Sequence, residues 1–145
     1  MARKSYSEQE REQVKEALMA TVLQCIVDRG LIHSSIETLC QKVGISKTFF
    51  YSLFASKEEL VCQALRYQQP RLLDYARQLM KDPSLSWRAG VETFLKNCCY
   101  GAKNGVAVLS IEEEQQVYRC LSEANFQAFR RDQIVFYVRL LSIFG

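Results

Sequence analysis

The sequence predicts an all-α fold in two helical parts, residues 1–67 and 68–145. Three observations support this. Apolar residues recur every three or four positions along most of the chain, which is the helical period. Proline occurs only at 70 and 83, and glycine is sparse away from expected helix ends. Serine followed three residues later by glutamate, the pattern of a capping box, opens one segment after another.

The first helix is expected from about Ser7 to Asp28. Ser7 and Glu10 fit a capping box, which ties down two free N–H groups of the first turn. Val14, Leu18, Val22 and Ile26 form one buried stripe. Gly30 is expected to end the helix as a left-handed cap. Arg3 and Lys4 precede it, either as a solvated terminus or as an arm that touches an anionic surface. The second helix is expected to begin at Ser34 or Ser35, with Ser34 and Glu37 as another capping pair. Ile36, Leu39, Cys40 and Val43 share its core face. Gly44 breaks it, and Ile45 plugs the angle to the next helix.

The third helix is expected from the N-cap Ser46 to about Leu53. Phe50 and Phe54, four apart, face inward. That leaves Lys47, Thr48, Phe49, Tyr51 and Ser52 on or near the outer face. Two short helices joined by a glycine-containing turn are the helix-turn-helix pattern, whose second helix can enter the DNA major groove. The outward side chains suit that use. Lysine meets phosphate or guanine, threonine and phenylalanine meet a thymine methyl, and the tyrosine hydroxyl meets phosphate. The competing reading is a small helical corner with chance surface aromatics.

The fourth helix is expected from Ser56, capped with Glu59. Lys57 at a helix start opposes the macrodipole, a conflict that a nearby anion such as DNA phosphate would remove. Leu60, Ala64 and Leu65 pack back on the bundle. Leu72, Leu73, Ala76, Leu79 and Met80 continue the pattern past Pro70, so a kink is expected near Gln69. The fifth helix is expected over about Leu85–Ala102, with Trp87, Val91, Phe94, Leu95 and Cys98 as its stripe and Gly101 and Gly105 loosening its end. After a short apolar run, Val106 to Leu109, Ser110 and Glu113 open a long helical stretch to Phe144 that breaks near Ser122. Its last part, IVFYVRLLSIF, is apolar nearly all round and is expected to be buried on several sides.

Composition limits the function. The net charge is +3, and residues 1–67 hold nine basic and eight acidic side chains, so DNA contact must come from placed charges rather than a general basic field. The polar N-terminus is not a secretory signal, and no apolar stretch is long enough to span a membrane, so a cytoplasmic protein without a membrane partner is expected. The six cysteines read as reduced thiols. With no CxxC and a single histidine, His33, no metal and no cofactor are expected, and no enzyme.

The stretch SIETLCQKVGISKTFFYSLFASKEELVCQAL resembles the N-terminal region of TetR-family transcriptional regulators over residues 10–66. The resemblance rests on Val43-Gly44-Ile45-Ser46, Tyr51-Ser52-Leu53-Phe54 and Ser56-Lys57-Glu58-Glu59-Leu60, with spacing kept across three helices. One departure is Thr48-Phe49-Phe50, where family members often have Gly-Thr-Leu before the tyrosine. The resemblance implies an N-terminal three-helix DNA-binding bundle followed by a helical domain that binds a small-molecule effector and dimerises. It implies that Tyr51 and Lys57 contact the DNA backbone, that Lys47, Thr48 and Phe49 face base edges, and that Ser35 reaches a phosphate. Trp87, Phe94, Cys98, Tyr118, Phe126 and Phe129 are candidates to line the effector pocket, although an aromatic stripe at helical spacing is more often core. Glu112, Glu113 and Glu114 read as a solvated first turn, with a cationic ligand as the alternative.

Family members continue with further helices that supply most of the dimer interface. The chain stops at Ile143-Phe144-Gly145, so its C-terminal half is expected to be shortened. The function expected is that of a ligand-responsive repressor. A homodimer would set two recognition helices about 34–36 Å apart on a palindromic operator. Two alternatives remain: a thiol redox sensor using Cys98 and Cys99, and a helical interaction module without DNA binding.

Overall fold

A computed structural model describes residues 6–99 and 106–145. The described residues are all-helical, as the apolar period requires. In chain order they form α1 (Glu8–Arg29), a 3-10 turn (Leu31–His33), α2 (Ile36–Val43), α3 (Lys47–Leu53), α4 (Lys57–Lys81), α5 (Trp87–Cys99), α6 (Ile111–Cys120) and α7 (Glu123–Phe144). Arg3, Lys4, Gly101, Gly105 and the expected end of the fifth helix lie outside the described residues.

Serine caps set the helix starts. Ser7 and Ser110 make complete capping boxes with Glu10 and Glu113. The Ser46, Ser56 and Ser122 hydroxyls each accept the backbone N–H three residues on. Ser122 also marks the break between α6 and α7. The cap of α2 differs from the expected pair. Ser35, not Ser34, accepts the Thr38 N–H at 3.1 Å. Ser34 is fully buried, and its hydroxyl donates to the Gly30 carbonyl at 3.2 Å.

The two helix-ending glycines do different things. Gly44 takes the left-handed conformation, φ 82° and ψ 39°, and turns α2 sharply into α3. Gly30 has φ 84° but ψ 167°, so it is not the left-handed cap expected. The chain there extends directly into the 3-10 turn, a path that glycine tolerates without steric cost.

The first core joins α1, α2, α3 and the start of α4. Leu18, Leu39, Phe50 and Leu60 are fully buried at its centre, each worth about 1.5–3 kcal/mol of burial. Ala107, Val117 and Phe129 of the later chain complete this core. A second, smaller core holds Leu73 and Ala76 of α4, Phe94 of α5 and Leu140 of α7. Helix α4 belongs to both and packs on α1, α5 and α7. It crosses the boundary between residues 67 and 68 without interruption, and Pro70 does not split it. The missing proline N–H removes one bond to the Arg66 carbonyl, while the flanking turns stay packed against neighbours.

At Gly90, α5 comes so close to α4 that an added Cβ would lie 2.5 Å from the Met80 side chain and 3.4 Å from the Leu79 carbonyl oxygen. The apolar stripe expected on α5 is only partly buried. Phe94 is core, but Trp87 is 62% exposed and Leu95 is also exposed. The end of α7 departs further from expectation. Ile134, Val135, Tyr137, Val138 and Leu141 are exposed, and α7 buries only Phe129 and Leu140. A single helix laid against a bundle covers one side, so a segment apolar all round leaves its other side open. No helix among the described residues is long and apolar enough to cross a membrane.

Candidate nucleic-acid interface

The turn at Gly44 sets α3 across α2 and turns one face of α3 outward. Phe50 and Phe54 anchor the inner face in the core, with ring centroids 5.9 Å apart. Ile45 packs against the same core from the turn. The Cys40 thiol, 3.9 Å from the Ser46 carbonyl oxygen, ties α2 to the start of α3. Burial pushes that thiol's pKa up, against the smaller opposing pull of Lys47.

Ser35, Lys47, Tyr51 and Lys57 come together around one open concavity, lined also by Glu37, Ser56 and Glu58. Tyr51 stands 53% exposed there. Three helix starts thus contribute to one surface: Ser35 before α2, Lys47 opening α3 and Lys57 opening α4. Helix N-termini favour anions through free N–H groups and the macrodipole. The cations and the tyrosine hydroxyl converge where those starts meet.

Thr48, Phe49 and Ser52 do not line this concavity. Thr48 is exposed. Phe49 is half-buried beneath the start of α1, where its ring stacks on Tyr6 at 4.0 Å and 15°. The Arg11 guanidinium lies 5.7 Å from the Phe49 ring centroid. Arg11 also donates to the Ser52 carbonyl at 3.2 Å, and the Ser52 hydroxyl donates back to the Phe49 carbonyl at 2.6 Å. Phe49 and Ser52 therefore brace α3 against α1. Ser35 is exposed, and its hydroxyl is engaged as the α2 cap and with the Thr38 hydroxyl at 2.8 Å.

Both lysines already have partners. The Lys47 ammonium donates to Glu37 at 2.7 Å, with both side chains more than half exposed. The hydrogen bond, then the charge of Lys47, hold the Glu37 carboxyl below its usual pKa, and the same pair raises that of Lys47. Lys57 donates to the Leu31 carbonyl at 3.4 Å. The Leu31 N–H in turn donates to Glu113 at 2.5 Å. Glu113 is also the capping-box carboxylate of α6. Leu31 thus joins the first turn of α6 to a lysine of the concavity that Lys47 and Tyr51 also line.

Tyr6, Arg11, Glu37 and Glu113 are absent from the sequence-derived site. Glu37 carried the signal of a capping pair, which its ion pair with Lys47 replaces. The other three act across distances in the chain that no periodicity reports.

The candidate effector-pocket residues separate. Tyr118 and Phe129 line a cavity of about 230 Å³ between α4, α6 and α7. Phe126 does not line it but packs edge-on against Tyr118 at 5.1 Å. Phe94 and Cys98 belong to the second core, and the Trp87 indole N–H donates to the Phe144 carbonyl. Cys98 is half-buried, and the side chain of Cys99 lies outside the described residues. Burial, followed by the charges of Glu59 and Glu58, pushes the Cys62 thiol up to about 12. Such a thiol is a poor nucleophile at neutral pH. Among the described residues no three histidine, cysteine or acidic side chains are grouped to hold a metal.

The chain is 26% identical over 119 residues to the HTH-type transcriptional activator FasR of Mycolicibacterium smegmatis, a match covering 80% of this chain and 48% of that protein. It therefore spans about half the length of the curated relative it matches. No family model and no solved structure matches it.

Proposed function

We propose that this chain is a DNA-binding transcriptional regulator of TetR type, acting in the cytoplasm by binding and not by catalysis. One observation carries the reading: Ser35, Lys47, Tyr51 and Lys57 converge on the open face of a helix-turn-helix. In the complex, Tyr51 and Lys57 hold phosphates and Lys47 exchanges Glu37 for DNA. Base reading falls to Thr48, because Phe49 is used to brace α3 and Lys47 is met by a phosphate. The similarity to a protein named as an HTH-type regulator supports the same reading.

The operator is palindromic double-stranded DNA and the active form is a homodimer. The exposed apolar face of α7, Ile134, Val138 and Leu141 among it, supports self-association. A small-molecule effector in the cavity between α4, α6 and α7 would bias the position of α6. Glu113 would then carry that bias to Leu31 and so to Lys57. This is a population shift, driven by the effector's different affinity for two arrangements. The primary reading is a repressor that leaves its operator when the effector binds. The activator name of the relative favours the opposite sign as a second reading.

Selection of bound sequences from a random DNA pool tests the main claim. A palindromic consensus is expected, and no enrichment would reject DNA recognition. A promoter reporter carrying that consensus then gives the sign of regulation.

A further inference from the structure

We propose that the cavity between α4, α6 and α7 takes a small organic cation, an ammonium group carried on a compact apolar body. The proposal rests on the effector-binding reading above and adds the chemistry of the ligand.

The walls are mostly apolar, with Leu65 and Leu72 of α4, Val117 of α6 and Phe136 of α7 among them. A dry cavity of about 150 Å³ is enough for benzene. At about 230 Å³, this one has room for a ring with a chain of two or three atoms. The polar side chains on the wall are Gln68, Gln69, Glu114, Tyr118, Gln133 and Tyr137, and hydrogen bonds join Tyr118 to Glu114 and Gln133. The Tyr118 hydroxyl donates to a Glu114 carboxylate oxygen at 2.5 Å and lies 3.4 Å from the Gln133 side-chain oxygen. Gln68 is already engaged. Both ends of its amide are committed to the Ala107 backbone, at 3.0 and 2.9 Å.

Counting donors and acceptors favours a ligand rich in donors. Tyr118 has one hydrogen to share and the Gln133 amide two, while the Glu114 carboxylate has about four acceptor sites and the Gln133 oxygen two. The cluster is rich in acceptors and short of donors. An ammonium brings three donors and no acceptor. The charges agree. Among the described residues that line the cavity, Glu114 is the one charged side chain, with no lysine, arginine or histidine beside it. A carboxylate or phosphate ligand would set a second negative charge beside Glu114, which disfavours both. Tyr118, Phe129, Phe136 and Tyr137 also line the cavity, and aromatic rings attract a cation placed over their faces.

The test uses the full chain and three probes of nearly equal shape: 2-phenylethylamine, 2-phenylethanol and phenylacetate. Affinities are measured by ligand-observed NMR at neutral pH. The amine is expected to bind about tenfold or more tighter than the alcohol, and phenylacetate weakest of the three. Glu114→Gln, nearly isosteric, is expected to remove the amine's advantage while leaving alcohol binding unchanged. Leu72→Trp, which fills the cavity, is expected to abolish binding of both. Binding of none of the probes overturns the proposal. So does phenylacetate binding as well as the amine, or amine selectivity that survives in Glu114→Gln. DNA binding by the untreated chain is measured separately by fluorescence anisotropy. Its absence rejects the regulatory reading without altering the NMR result.

Discussion

Replacing Glu37 by glutamine tests how Lys47 is used. In the free chain Lys47 is held by Glu37 at 2.7 Å on the face proposed to meet DNA. Both groups are exposed, so the pair adds little to fold stability. Its effect on DNA binding is larger, because Lys47 must leave a carboxylate before it can neutralise a phosphate. Glu37→Gln keeps the shape and removes that competition. Six to ten phosphate contacts are worth about 10³–10⁵ in affinity between 50 and 200 mM salt, or about half a decade each. Relieving that competition therefore predicts about a threefold gain in affinity at the low end of that range, with the salt slope unchanged because Lys47 meets DNA in both proteins. Anisotropy titrations at four salt concentrations, on random duplex and on a selected operator, measure both.

The pH dependence has a definite sign. Lys47 lowers the Glu37 pKa, so the pair persists above the usual carboxylate range and is lost as pH falls through that lowered value. The difference between wild type and variant should stay constant around neutral pH and close only in acid. An unchanged affinity in Glu37→Gln would refute the competition argument. A fall in operator affinity would refute it differently, by showing that Glu37 itself accepts from a base.

Five further outcomes are expected. Lys57→Ala should cut DNA affinity and reduce the salt slope by about 0.9. If Leu31 links Glu113 to Lys57, Glu113→Ala should add nothing further to Lys57→Ala, whereas additive losses in a double-mutant cycle would break the link. Phe50→Ala, at a fully buried position, should cost about 3–5 kcal/mol in urea unfolding. Gly44→Ala has open space for its Cβ, so its cost should be only the left-handed backbone, about 1–2 kcal/mol by the same assay. Val138→Lys places a charge in the exposed face of α7 and should shift the chain to monomer in analytical ultracentrifugation at unchanged helicity.

Much of the fold was legible because the interactions that start helices are local. Ser7, Ser46, Ser56, Ser110 and Ser122 each cap a backbone N–H three residues on, and a serine at that spacing before an apolar run can be read directly. The buried stripe of Leu18, Val22 and Ile26 followed from period alone. So did the inward Phe50 and Phe54, and with them the outward placing of Lys47 and Tyr51. Which outward residues share one surface was not legible. Glu37 meets Lys47 across 10 residues of chain, and Glu113 meets Leu31 across 82. Phe49 has the chemistry of a thymine contact, yet Tyr6 and Arg11 draw it under α1. The apolar end of α7 reads as core, and packing against one neighbouring layer leaves half of it in water. Hydrogen bonds within a turn, and the helical repeat, are properties of the chain itself. The ion pair, the aromatic stack and the acceptor-rich cavity exist only where folding brings distant segments together.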